Sequence, residues 1–116
     1  MCHYRHRAHA DPFFLPGLQD ITAHVDFTAV AECAHGAGAS VLGYTTQAQF
    51  LINCGLTDLL GRVPPEDAKR YLPLAAAANK LTSPSEMGEL FKAIAFGRGV
   101  TDALGAFASG DRRHTL

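Results

Sequence analysis

From Asp20 to Phe27 polar and apolar residues alternate strictly: Asp20, Thr22, His24 and Asp26 stand at every second position, with Ile21, Ala23, Val25 and Phe27 between them. An extended backbone sends successive side chains to opposite faces, so this pattern predicts a strand with two carboxylates, a hydroxyl and an imidazole on one side. A water-facing edge strand gives the same alternation. Even so, the row is a denser set of proton-handling groups than a solvated face requires. Asp26 also reads as a helix N-cap, with Val25 and Val30 spaced for a hydrophobic staple. Phe27, Val30, Ala31 and Ala34 then follow at helical spacing until Gly36 and Gly38 stop the helix. The polar row therefore lies beside a helix N-terminus, and Asp26 has a structural use there as well as a chemical one.

Bulk properties narrow the classes open to the chain. Ten Lys and Arg against eleven Asp and Glu leave a net charge of −1, without the basic stripe a nucleic-acid partner would require. No apolar run approaches the length that crosses a bilayer, so no membrane partner is expected. The segment Met-Cys-His-Tyr-Arg at the start has no signal-peptide character. Cys2, Cys33 and Cys54 form an odd set with no C-x-x-C pair, which fits a reducing, cytoplasmic setting. Cys33 and Cys54 fall in helical runs, Cys33 near a core face, and neither suits a nucleophile. Cys2, His3, His6 and His9 invite a zinc site. Their H-x-x-H-x-x-H spacing matches neither the usual ligand pairs nor a second thiol pair, so solvated histidines and no metal are expected.

Along the chain, residues 1–16 read as an ordered loop or arm, with Pro12 and Pro16 bracketing Phe13-Phe14-Leu15, three apolar residues placed to dock on something. Ser40–Tyr44 reads as a strand, and Thr46-Gln-Ala-Gln49 as a capping box opening a helix through Phe50, Leu51 and Cys54 that Gly55 ends. Thr57 is placed to cap one more turn over Leu59 and Leu60. Pro64-Pro65-Glu66-Asp67 has the pattern of a first helical turn, and Pro73 predicts a kink or two abutting helices downstream. Ser83-Pro-Ser-Glu86 reads as a second capping box whose single turn Gly88 ends. Leu90–Phe96 reads as a strand in which Lys92 marks an edge or a pocket rim. The tail after Gly97-Arg-Gly99 has no pattern and is expected to fray. So few strands cannot close a doubly wound sheet. The chain reads as an α/β piece of one, with an antiparallel pair at a sheet edge.

The order of short motifs carries more than any one of them. Asp20-Ile-Thr-Ala-His-Val-Asp-Phe27 resembles the D-[LI]-T-A-H-V-D-F signature of the MidA-type S-adenosylmethionine-dependent methyltransferases. Tyr4-Arg-His-Arg-Ala-His9 with Asp11-Pro12, Gly43-Tyr-Thr-Thr-Gln-Ala-Gln-Phe-Leu51, Ser83-Pro-Ser-Glu-Met-Gly-Glu-Leu-Phe-Lys92 and Gly110-Asp-Arg112 resemble further family landmarks, in order. The resemblance covers nearly the whole chain. It implies a C-terminal fragment of a class I, Rossmann-like methyltransferase fold with few strands and several helices. The chain then divides into an N-terminal arm (1–19), helices and edge strands (20–99) and a tail (100–116).

The cofactor implied is S-adenosylmethionine, yet no G-x-G-x-x-G-like turn follows a strand signal here. The resemblance implies a start after the fifth strand of the catalytic sheet, at what reads as an internal methionine, and a fragment inactive alone. It also implies a protein substrate, methylated on arginine, since mitochondrial members methylate a subunit during assembly of respiratory complex I. Methyl transfer from a sulfonium mainly needs alignment and a proton acceptor. On this reading Asp20 and His24 are the catalytic candidates and Thr22, Asp26 and Gln47 the substrate-binding ones, the carboxylates suited to a guanidinium. A hydrogen-bonded turn tying the arm to the helix explains the same residues, and capping explains Gln47. The other reading is a non-catalytic protein-binding module, dimerising through Phe13, Phe14 and Leu15.

Overall fold

In the computed structural model, residues 1–116 form five strands and four helices. β1 (Cys2–Tyr4) lies between β2 (Arg7–His9) and β3 (Asp20–Ile21), both antiparallel to it. α1 (Phe27–Gly36) leads to β4 (Ser40–Thr46), then α2 (Gln47–Asn53), α3 (Leu56–Gly61) and α4 (Ala68–Thr82). β5 (Lys92–Gly97) returns antiparallel to β4, with a bulge between Val41 and Gly43. The expected α/β piece with an antiparallel pair is what forms.

Several local expectations are corrected. The arm is a small sheet: residues 2–4 and 7–9 pair across a two-residue turn that carried no glycine or asparagine signal. The strand expected through the alternating segment stops at Ile21. Thr57 lies inside α3, whose N-cap is Gly55 in the left-handed region (φ 90°). The Pro64-Pro65 segment precedes α4 rather than forming its first turn, and the N-cap is Asp67. α4 runs unbroken past Pro73, so two abutting helices do not form. Ser83 ends α4, and the Ser83–Glu86 box is replaced by a tight turn in which the Ser83 carbonyl accepts from Glu86 N and Gly88 N. Cys33 is exposed, against the core-face expectation, and Cys2 is buried.

The core lies where β4 meets α2 and the tail. Tyr44, Thr45 and Thr46 are buried, Thr45 completely. Phe107 sits on the backbone of Gly43, where any Cβ would come within 2.2 Å of its ring, and packs edge-on against Phe50 at 5.7 Å. The tail is therefore docked, not frayed. Asn53 Nδ2 donates to the Ala106 and Ser109 carbonyls (2.9 Å each), Thr45 Oγ1 to Gly110 O (2.7 Å), and Arg112 N to Tyr44 O (2.6 Å). Residues 110–113 thus cover the outer edge of β4, satisfying strand groups that a sheet edge would leave open.

Two carboxylates hold this tail. The Arg112 guanidinium grips Glu89 with both nitrogens, and Lys92 donates to the same group, keeping the Glu89 carboxyl below its usual range. For Asp111 burial raises the pKa, but bonds from the backbone N–H of Arg113 and Tyr44 and from the Arg113 side chain outweigh it, so the carboxyl is lowered. A depressed acid adds stability above its unfolded pKa and loses it as pH falls through the folded one. Tail docking is accordingly constant above about pH 4.5 and weakens below about pH 4, where carboxylates protonate. Hydrogen exchange at Arg112 N and Thr115 N, followed from pH 7 to pH 3 relative to intrinsic rates, measures this. Unchanged protection across that range contradicts it.

The molecule is open. Only 8 of 116 residues are buried, and the accessible surface is 8415 Å², against about 6,100 Å² for a compact monomer of this mass. The radius of gyration is 17.9 Å, where a compact chain of this length has about 13 Å. The excess of about 2,300 Å² exceeds what one partner contributes to a standard stable interface. β5 has a strand on one side alone. Both features fit a chain that packs against further structure.

Candidate functional site

Three of the landmark motifs, those at 20–27, 43–51 and 83–92, meet at one cleft of about 840 Å³, between the N-terminal sheet, the start of α1 and the β4–β5 pair. Thr22 and His24 line it from the signature segment, Tyr44 from β4, Phe91 from the approach to β5 and Lys92 from its first position. His3 joins them from β1. Each position has a local cause. The Phe27 ring packs on Tyr44 at 5.2 Å, which seats the start of α1 against β4. Thr22 continues the β1–β3 pairing: its N–H donates to Met1 O (2.8 Å), its hydroxyl to the same oxygen (3.0 Å), and the N-terminal amine to Thr22 O (2.6 Å).

The turn 83–91 positions the opposite wall. Gln47 N donates to Phe91 O (2.8 Å) and Ala48 N to Gly88 O (3.0 Å), while Thr46 Oγ1 accepts from Gln49 N (3.2 Å). These bonds satisfy the first donors of α2, which would otherwise be orphaned. They also fix Phe91 and Lys92 at the cleft. Gly88 is packed so closely on the end of α4 that a Cβ would lie 2.1 Å from Thr82 O. Lys92 is held at the rim by Glu89, to whose carbonyl it also donates.

The signature residues part company here. Thr22 and His24 reach the cleft, but Asp20 and Asp26 do not line it. Asp20 pairs with His3 in the β1–β3 register and is exposed. Asp26 Oδ1 accepts from Ala29 N at 3.0 Å and caps α1. Gln47 Nε2 donates to Leu81 O at 2.9 Å, closing the carboxyl end of α4 away from the cleft. The bidentate carboxylate grip expected for a guanidinium is therefore not built in this cleft. Its walls are instead aromatic and imidazole. The alternation is broken because pairing ends with Thr22 and Met1, so residues 23–26 follow the Asp26 cap rather than a strand. Replacing Asp26 by Ala costs about 1 kcal/mol of stability through the lost cap, read as a lower urea midpoint. No change would mean that the cap is not holding α1.

Sequence reading missed Tyr44 as a cleft residue; the family resemblance implies that one histidine of His3, His6 and His9 faces the substrate cleft, and His3 is the one that lines it. Tyr44 stands in the Gly43–Leu51 motif but was visible only as a strand former. Lys92 was the one charge in an otherwise uncharged strand, and that signal pointed correctly to a rim.

No strand-to-helix junction of the chain carries a glycine: β3 passes to α1 through residues 22–26, and β4 runs directly into α2. These residues do not make the glycine turn that holds a nucleotide cofactor in doubly wound folds.

Comparison with known proteins defines the class. A family model for S-adenosyl-L-methionine-dependent methyltransferases matches residues 1–45. The crystal structure of a COG1565 superfamily member from Burkholderia thailandensis, bound to S-adenosyl-homocysteine, superposes with a TM-score of 0.93 at 65% identity. It is matched over 100% of this chain and 30% of its own length. A native structure of a COG1565 superfamily protein from the same organism agrees equally, at 65% identity over 31% of its length. The fold is a portion of a methyltransferase fold. Mouse mitochondrial protein arginine methyltransferase NDUFAF7 is 38% identical over 92 residues, which is 76% of this chain and 20% of that protein. The chain is similar to part of a MidA-type methyltransferase, a family whose cofactor is S-adenosylmethionine, and spans less than a third of the length of the relatives it matches.

Proposed function

We propose that this chain is the acceptor side of a protein methyltransferase, with an arginine of a partner protein as the group methylated. The observation that carries the reading is the meeting of Thr22 and His24 with Tyr44 and Lys92 in one cleft. The arginine follows from the mouse relative's activity and suits aromatic walls, on which a flat guanidinium stacks. The cofactor supplies an electrophilic methyl group. In this chain, Tyr44 and Phe91 hold the guanidinium plane, and His24 takes up the proton that its nitrogen releases on methylation. The hydroxyl of Tyr44, which has no hydrogen-bond partner within the chain, accepts a guanidinium N–H. Lys92 would repel a cationic acceptor, and the Glu89 carboxylate, which it shares with Arg112, offsets only part of that charge.

The test is methyl incorporation by the complete native protein into an arginine-containing protein acceptor, compared with its His24→Ala and Tyr44→Phe variants. Loss of incorporation in both supports the reading. Full incorporation in both removes the cleft from the reaction.

A further inference from the structure

A second hollow, of about 610 Å³, lies on the other face of the N-terminal sheet, between the β1–β2 hairpin and the loop at residues 11–14. We propose that it docks an acidic segment of a protein partner, seating an aromatic or aliphatic side chain beside a carboxylate.

Four observations converge on it. The hairpin turn holds two non-glycine residues in the left-handed region, Arg5 (φ 46°) and His6 (φ 63°), where asparagine and glycine are the low-cost choices. Such a turn is strained, and strain of this kind gathers at sites that bind. It presents Arg5 and Arg7 on the rim. Neither has a carboxylate partner, a state they share with Arg62 and Arg98, whereas Arg70, Arg112 and Arg113 are paired; Arg5 and Arg7 are the two that line one hollow together. Arg5 is held over the Tyr4 ring at 5.4 Å, which fixes its guanidinium without neutralising it.

The nearest acid does not fill the role. Asp11, which lines the hollow, accepts from Phe13 N at 2.9 Å and makes no ion pair with either arginine, so its single charge leaves the two cations in excess. His9 adds a donor without an acceptor. Its Nδ1 accepts from Asp11 N at 3.3 Å, which places the proton of the neutral ring on Nε2. That Nε2 is buried and has no partner. Two unpaired guanidiniums and an imidazole N–H therefore surround a floor of aromatic rings, Tyr4 and His9 both packing edge-on against Phe14 at 5.9 and 5.3 Å. Donors of that kind recognise carboxylate oxygens, and Arg forks do so bidentately.

The occupant is a protein segment because the composition is that of an interface hot spot, Tyr and Arg with Phe. Phe13, next in the chain to Phe14, is 84% exposed. The hollow lies apart from the methyl-acceptor cleft. It takes from the proposed function the idea of a protein partner and nothing else. Its test reads binding, so its failure leaves the methyl-transfer test standing.

The experiment is fluorescence anisotropy of the complete native protein with a short labelled peptide carrying glutamates on both sides of one phenylalanine, against the same peptide with glutamines. The glutamate peptide is expected to bind at least about tenfold more tightly, two charge-assisted bonds being involved. That advantage should shrink as salt rises from about 0.05 M to about 0.5 M. The Arg5→Ala/Arg7→Ala double variant should abolish it, and Arg5→Lys/Arg7→Lys should keep part of it, since lysine retains charge but loses the fork. Equal binding of the two peptides to the unmodified protein overturns the proposal, as does an undiminished preference in the double alanine variant. If that variant fails to fold by circular dichroism, the glutamate-to-glutamine comparison on the unmodified protein decides.

Discussion

His24→Ala in the complete native protein lowers kcat for methyl transfer by about 10²–10³-fold, the usual worth of a positioned proton acceptor. The acceptor KM changes little, because Tyr44 and Phe91, which hold the acceptor in the proposed cleft, remain in place. This split separates a proton acceptor from a residue that merely shapes the wall, since loss of uniform binding would raise KM and leave kcat alone. Tyr44→Phe keeps the ring that packs on Phe27 at 5.2 Å, so the fold persists while the one free hydroxyl of the wall is lost. It is expected to lower kcat/KM about tenfold, roughly one hydrogen bond to a charged group. Steady-state kinetics on the two variants measure both effects. A His24→Ala protein with unaltered kcat would make the imidazole a surface group.

Phe107→Ala gives the largest loss of stability, about 3–5 kcal/mol for a buried phenylalanine truncated to alanine. The ring is 8% exposed and fills the space that Gly43 leaves by having no side chain. Its loss opens a cavity over β4 and loosens residues 105–113. The Asn53 and Thr45 bonds to the tail would then have to hold it without an apolar anchor. Gly43→Val acts on the same contact from the other side, driving a branched side chain into the ring. A lower urea midpoint for both variants, with hydrogen exchange rising first at Arg112 N, is the expected result. Wild-type stability in Phe107→Ala would mean that the tail is not docked on β4.

How far the sequence revealed this arrangement depended on the kind of force holding each part. Periodic apolar patterning and side-chain caps leave a local trace, so α1 with its Asp26 cap, α2 with its Thr46 cap, and the β4–β5 pair were all legible. The N-terminal sheet was hidden because its strands are two or three residues long and its turn uses Arg5 and His6 instead of glycine or asparagine. The tail was hidden because it is held by contacts that have no period: Phe107 on Gly43, Asn53 on two carbonyls, Arg112 on Glu89. The site was legible in half. Thr22 and His24 came from the alternation and Lys92 from a lone charge, but His3 and Tyr44 reach the cleft only through long-range pairing. Asp26 and Gln47 show the converse, polar residues whose side chains close helix ends.

The central claim is that this chain supplies the acceptor side of the site and not the cofactor cradle. Calorimetric titration of S-adenosyl-homocysteine into the complete native protein and into its His24→Ala variant tests it most directly. Dissociation constants within about twofold of each other, beside the collapse in kcat, are what the account predicts. Cofactor affinity weakened about tenfold or more by that one substitution would place His24 against the cofactor and contradict it.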